Sequence, residues 1–157
     1  EPIARAAIRW LRCHPPPPAE RVTVVHGDYR SGNFLYDAEG NIRAILDWEM
    51  WHLGDPLEDL AWSFNPIWFW PDRTLIGRLL PRHEAVAAWE KASGLQASPD
   101  ALRWWEVFTH VKSLAIWVSS EREYADRRNQ DPTLALVGWM IKGVQERITL
   151  EALGKAK

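Results

Sequence analysis

The sequence predicts an α+β fold, mainly helical, in which a small β-rich segment is set between helices. Three observations predict it. Ile3, Ala7, Ile8 and Leu11 recur at helical spacing near the start, with Arg5, Arg9 and Arg12 elsewhere on the wheel. Three short runs follow that are β-branched, aromatic or alternating: Val22 to Val25, Asn33 to Tyr36, and Ile42 to Trp48. After residue 55, pairings of a cap residue with a proline open one helical pattern after another.

Each element has a local cause. The first helix, Ile3 to Leu11, is stopped by four prolines, Pro15 to Pro18, which lack the N–H a helix needs and favour a stiff polyproline connector. Between the second and third strands, Asp37-Ala38-Glu39-Gly40-Asn41 supplies residues that tolerate positive φ, so a tight hairpin is expected there. Asp55-Pro56-Leu57-Glu58 reads as a capping box, with a cap carboxylate, a proline in the first turn and a glutamate three residues after the cap. Ser98-Pro99 and Asp131-Pro132 announce longer helices at about 100–127 and 133–153, the latter with Val137, Ile141, Val144 and Ile148 as its apolar stripe. A further helix is predicted over 82–92, ended by Gly94.

Composition narrows the function. The 157 residues suit one domain with a real core, and 19 basic against 21 acidic residues, interspersed, give a net charge of -2. Such a surface excludes the basic footprint of a nucleic-acid or membrane partner. No apolar run nears the roughly 20 residues that cross a bilayer. Cys13 is alone and cannot form an internal disulfide, and no signal-peptide pattern is present, so a reducing cytoplasm is the expected compartment. The 11 tryptophans are expected mostly in the core, the remainder lining an apolar or planar-ligand pocket. Trp68, Phe69 and Trp70, between Pro66 and Pro71, form one candidate wall.

The chemistry concentrates in His26-Gly27-Asp28-Tyr29-Arg30-Ser31-Gly32-Asn33, which follows the valine strand, and in Asp47-Trp48-Glu49 beyond the hairpin. An aspartate followed five residues later by an asparagine, between strands, matches a loop in which the aspartate accepts a substrate hydroxyl and the asparagine binds magnesium. Phosphoryl transfer gathers negative oxygens, so it needs positioning and hard cations, and magnesium prefers oxygen ligands such as the Asn33 amide and the Asp47 carboxylate. If the stretch stays extended, Glu49 shares a face with Asp47 and would hold a second ion or a metal-bound water. The bland alternative is that Asp28 and Asn33 are ordinary turn residues bonding their own backbone. His52, His83 and His110 have no metal-ligand spacing with one another or with a cysteine, so no function is assigned to them.

The passage VVHGDYRSGNFLYD…GNIRAILDWEMWHLGDPLEDLAW, Val24 to Trp62, resembles the aminoglycoside phosphotransferase and choline kinase superfamily, with wording closest to the phosphotransferase-like domains found beside acyl-CoA dehydrogenases. The resemblance implies the C-terminal lobe of a protein-kinase-like fold, with ATP and Mg²⁺ as cofactors and a small-molecule hydroxyl as acceptor. It implies Asp28 as the catalytic aspartate, Asn33 and Asp47 as magnesium and nucleotide ligands, His26 as a brace of the loop, and Asp55 as a helix cap beside the site. Arg30 occupies the place where protein kinases put a lysine near the transferred phosphate. The glycine-rich phosphate loop, the strand lysine and the hinge of such enzymes are absent, so an N-terminal lobe is expected upstream of Glu1. The fragment alone is expected to be inactive and to self-associate. The rival reading is a kinase-like binding module without turnover.

Overall fold

A run such as Asp37 to Asn41 turns the chain because one position must be left-handed, and Gly40, at φ 85, takes it without a Cβ clash. Gly40 N–H donates to the Asp37 carbonyl, and the Asp37 carboxylate accepts from Asn41 N–H at 2.8 Å. This turn joins β2 (Phe34–Tyr36) to β3 (Ile42–Ile45) in an antiparallel hairpin, with Phe34 opposite Ile45 and a register shift between Leu35 and Tyr36. The computed structural model describes residues 1–69 and 74–154. Trp70 and Pro71, part of the expected aromatic wall, lie outside the described residues.

The chain forms two compact units, one of residues 16–106 and one of residues 1–15 with 107–157. In the first, β1 (Thr23–Val25) pairs antiparallel with β4 (His52–Gly54), placing Val25 opposite His52. The hairpin β2–β3 lies between them in sequence. A third small ribbon, β5 (Leu75–Ile76) with β6 (Leu80–Pro81), follows the turn at Pro66–Phe69.

Three strands were expected, and six short ones form among the described residues. The third expected strand ends at Ile45, well before Trp48, because Asp47 adopts a left-handed conformation (φ 66, ψ 55) and Trp48–Met50 closes a 3-10 turn. Asn33 likewise belongs to a 3-10 turn, Ser31–Asn33, instead of the strand after it.

The core of this unit follows from α2 (Leu57–Ser63), whose Leu57, Leu60 and Ala61, continued by Phe64, fall on one face at helical spacing. They pack on Ala97, Ala101 and Leu102 around the start of α4 (Pro99–Ala125), with Val86 and Trp89 of α3 (Arg82–Ser93) against them. Burying side chains of this size contributes roughly 1.5–3 kcal/mol each. Asp55 caps α2 through its side chain, which accepts from Leu57 N–H at 2.9 Å and from Trp105 Nε1 at 3.0 Å. Glu58, the expected return arm of the capping box, directs its carboxylate to His52.

The second unit is helical: α1 (Pro2–Cys13) packs on α6 (Lys142–Ala152), with the rest of α4 completing it. The expected last helix is present but divided, as α5 (Pro132–Leu136), a π-helical turn at Val137–Ile141, and α6. Asp131 caps it by accepting from Thr133 N–H at 2.8 Å. Ala7, Leu11, Val107, Leu114 and Ile148 are buried, and so are the polar Thr109, His110, Ser113, Gln145 and Thr149. Among the described residues no helix is long and apolar enough to cross a membrane.

Candidate active site

The loop after β1 is built around a buried histidine. His26 Nδ1 lies 3.1 Å from Asp28 N–H, which can only donate, and His26 Nε2 lies 2.8 Å from the Leu46 carbonyl, which can only accept. One neutral tautomer, with its proton on Nε2, satisfies both. His26 thereby braces the loop, as the resemblance implies. The brace also reaches the other half of the site, because the Leu46 carbonyl belongs to the peptide that leads into Asp47. Leu46 N–H donates in turn to the Asn33 carbonyl at 2.8 Å, so the residue before Asp47 is tied through both its N–H and its carbonyl.

Gly27 allows the loop to lie against the turn that follows Asp47. Its φ is 87, and a Cβ there would sit 2.5 Å from the Met50 carbonyl oxygen and 2.8 Å from Met50 Cβ. Any side chain would force the two segments apart.

Asp28 is 9% exposed, and its carboxylate is held by three neighbours. Asn33 Nδ2 donates to Oδ2 at 2.7 Å and also to the Asp28 carbonyl at 2.8 Å. Trp62 Nε1 donates to Oδ1 at 2.7 Å. Arg30 Nε bridges both oxygens at 3.1 Å, while the guanidinium carbon stands 5.2 Å above the Trp68 ring. Because Asn33 uses its NH₂ on Asp28, its Oδ1 is the atom left to meet a cation.

Asp28 is therefore in direct contact with Arg30 and Asn33, and Leu46, bonded to both His26 and Asn33, directly precedes Asp47 in the chain. The Asp47 carboxylate is exposed. So is Glu49, which stands on the 3-10 turn Trp48–Met50. The extended geometry that would have aligned Glu49 with Asp47 is absent, because a 3-10 turn does not share the period-two alternation of a strand. Among the described residues no group of three His, Cys, Asp or Glu side chains forms a metal cluster. A site of one amide oxygen and one or two carboxylates is what magnesium uses when phosphates and water supply the remaining ligands.

Two residues that shape the site escaped the sequence reading. Asp59, on α2, accepts from His26 N–H at 2.7 Å and from Gly27 N–H at 2.9 Å, clamping the loop from below. Burial raises its carboxyl above the usual range, against the opposing pull of those two N–H groups. Burial, followed by the charge of Asp59, also raises the Tyr29 phenol. Trp62 is the other residue. It is almost fully buried and fits the prior for a core tryptophan, yet its one polar atom ends on Asp28.

A cavity of about 380 Å³ opens beside Arg30, walled by Phe34, Leu60, Phe64, Trp68, Leu79 and Trp89. Trp68 thus lines a pocket as expected, while Phe69 is buried at 2% exposure.

The sequence profile of the phosphotransferase enzyme family matches residues 1–105. Mouse acyl-CoA dehydrogenase family member 10 is 43% identical over 63 residues, covering 40% of this chain and 6% of that protein. Chicken acyl-CoA dehydrogenase family member 11 is 35% identical over 71 residues, covering 45% of this chain and 9% of its own length. A crystal structure from Ralstonia eutropha, assigned as an aminoglycoside phosphotransferase, superposes with a TM-score of 0.80 at 22% identity, over 99% of this chain and 50% of that one. The chain thus has the kinase-like fold of that structure and spans half its length, and it spans less than a tenth of the dehydrogenase relatives.

Proposed function

Since the chain belongs to the phosphotransferase enzyme family, we propose that it is the catalytic lobe of a kinase that transfers the γ-phosphate of ATP to a hydroxyl of a small molecule. The observation that carries this reading is the pairing of Asn33 with Asp28. The asparagine spends its donors on the aspartate and keeps its oxygen for a cation, which joins the acceptor-activating carboxylate to the metal site through one side chain.

In this reading Asn33 and Asp47 hold magnesium, with Glu49 as a further candidate, and the ion neutralises phosphate oxygens. Asp28 orients the acceptor hydroxyl and takes its proton. Trp62 and Asn33 fix one hydrogen bond on each carboxylate oxygen, which sets the plane of the group before substrate arrives. Arg30 moves from the Asp28 carboxylate toward the transferred phosphate, where its positive charge meets the charge of the transition state. The phosphate-clamping elements belong to an N-terminal lobe. The exposed Leu35, Tyr36, Ile42 and Leu46 on and beside the β2–β3 hairpin are suited to be covered by it.

The acceptor is a partly apolar hydroxyl compound and not a polycation. Two features support this: the apolar walls of the cavity beside Arg30, and 13 basic against 11 acidic residues after residue 60. The single exposed Cys13 suits a reducing cytoplasm.

The test is γ-phosphate transfer by the full-length protein with magnesium, across a series of alcohols running from apolar-bodied to polycationic. Transfer favouring the apolar members is expected. Transfer only to polycations would overturn the acceptor reading, and magnesium-dependent ATP binding with no transfer to any alcohol would establish the binding module instead.

A further inference from the structure

The turn that carries Asp47 and Glu49 is fastened by a histidine that the proposed reaction does not use. His52, on β4, has both ring nitrogens engaged. Nδ1 lies 3.1 Å from the Met50 carbonyl, which can only accept, so this contact is a hydrogen bond when Nδ1 bears a proton. Nε2 lies 3.0 Å from Oε2 of Glu58, and Glu58 is only 3% exposed on α2. The Met50 carbonyl is the same group that rests on Gly27. His52 also lies opposite Val25, the residue that leads into His26 and Gly27. The ring therefore stands where the metal turn, the catalytic loop and α2 meet. The next residue of α2, Asp59, clamps the same loop through the N–H groups of His26 and Gly27.

We infer that His52 is a positioning residue for the metal-binding turn: by donating to the Met50 carbonyl, with its ring fixed by Glu58, it seats the turn that follows Asp47 against Gly27. Without that donor the carbonyl is free to turn to water, and the left-handed conformation of Asp47 loses a constraint on its downstream side. The inference rests on the reading of Asp47 as a metal ligand.

Two amide substitutions separate the two bonds, since asparagine places an N–H near the position of Nδ1 and glutamine near that of Nε2. The purified chain is titrated with Mn²⁺ alone, and free ion is followed by electron paramagnetic resonance, with thermal melts to confirm that each variant is folded. His52→Asn keeps the donor to Met50 and is expected to bind within about twofold of wild type, whereas His52→Gln loses it and is expected to weaken binding about tenfold, the usual size of an outer-sphere effect. Equal binding by both variants, whether weak or strong, overturns the inference.

Imidazole ¹⁵N spectra of the wild type give a reading independent of the metal. A protonated Nδ1 on His52 is expected, an unprotonated one refutes the donor role, and this signature decides alone should either variant fail to fold. If the wild type binds no Mn²⁺, the metal reading itself falls and takes this inference with it. Wild-type binding with indifferent variants removes only His52.

Discussion

Asp28, Arg30 and Asn33 were legible as a group because the features that join them are local: all three lie within one loop, and short spacing in sequence became short distance in space. Asp59 and Trp62 were not legible, because their bonds to that loop cross 32 to 34 residues and their own neighbours explain them as parts of an amphipathic helix. Glu49 shows the opposite failure. Its assignment borrowed the alternation of a strand, and the strand ends at Ile45, with the left-handed Asp47 and a 3-10 turn in place of the extended stretch the argument needed. The clamp makes a prediction at this scale. Asp59→Ala removes the carboxylate that accepts from the N–H groups of His26 and Gly27 in a part-buried site, at a cost of roughly 1–3 kcal/mol for each group left unsatisfied. Urea unfolding should show a lowered midpoint, and turnover should fall further than stability alone explains, since the loop that aims Asp28 loosens. Unchanged stability and turnover would mean that His26 holds the loop without help.

Helices were read more securely than strands, since caps and prolines mark their starts and apolar stripes mark their faces, and Asp55, Ser98 and Asp131 all stand at the predicted starts. Strands of two to four residues carry too little pattern to be found alone. β4 was hidden in His52-Leu53-Gly54, and β5 and β6 fell in a stretch to which the sequence assigned no element. The buried polar seam between α4 and α6 was also missed, because polar residues in a helix are ordinarily read as its wet face. There Gln145 Nε2 lies 3.2 Å from His110 Nδ1, and Thr149 donates to the Gln145 carbonyl at 2.7 Å. Burial pushes His110 down to about 4, against about 6.5 for a free histidine. Between those values the unfolded chain binds a proton that the native chain does not. Stability should therefore hold above about pH 6.5 and decline as pH falls toward 4, by on the order of 3 kcal/mol in total from this residue. Denaturant unfolding at several pH values checks it: His110→Gln should flatten the decline over that window, and an unaltered decline would place the acid sensitivity elsewhere.

At the scale of the molecule, the family was legible in some 40 residues around the catalytic loop, while the division into two units was not, because one unit joins the start of the chain to its end. Val24 and Leu53 face each other on β1 and β4 with 56% and 68% of their surfaces exposed, and Tyr36 is 70% exposed. Exposed apolar side chains on both of these ribbons suit a face that a further element covers. Sedimentation velocity on the isolated chain should show concentration-dependent self-association, with negligible transfer of phosphate. A stable monomer turning over at ordinary kinase rates, roughly 1 to 100 per second, would show that the chain needs no second lobe.

The central claim is that Asp28 acts on the acceptor hydroxyl while Asn33 and Asp47 hold the metal. It is tested most directly by measuring γ-phosphate transfer and Mg·ATP affinity side by side in the full-length protein carrying Asp28→Asn. The account predicts a fall in kcat of roughly 10² to 10⁴ with nucleotide affinity little changed, since the substitution removes the base and no metal ligand. Near-normal turnover, or a loss that appears only as weakened Mg·ATP binding, would contradict it.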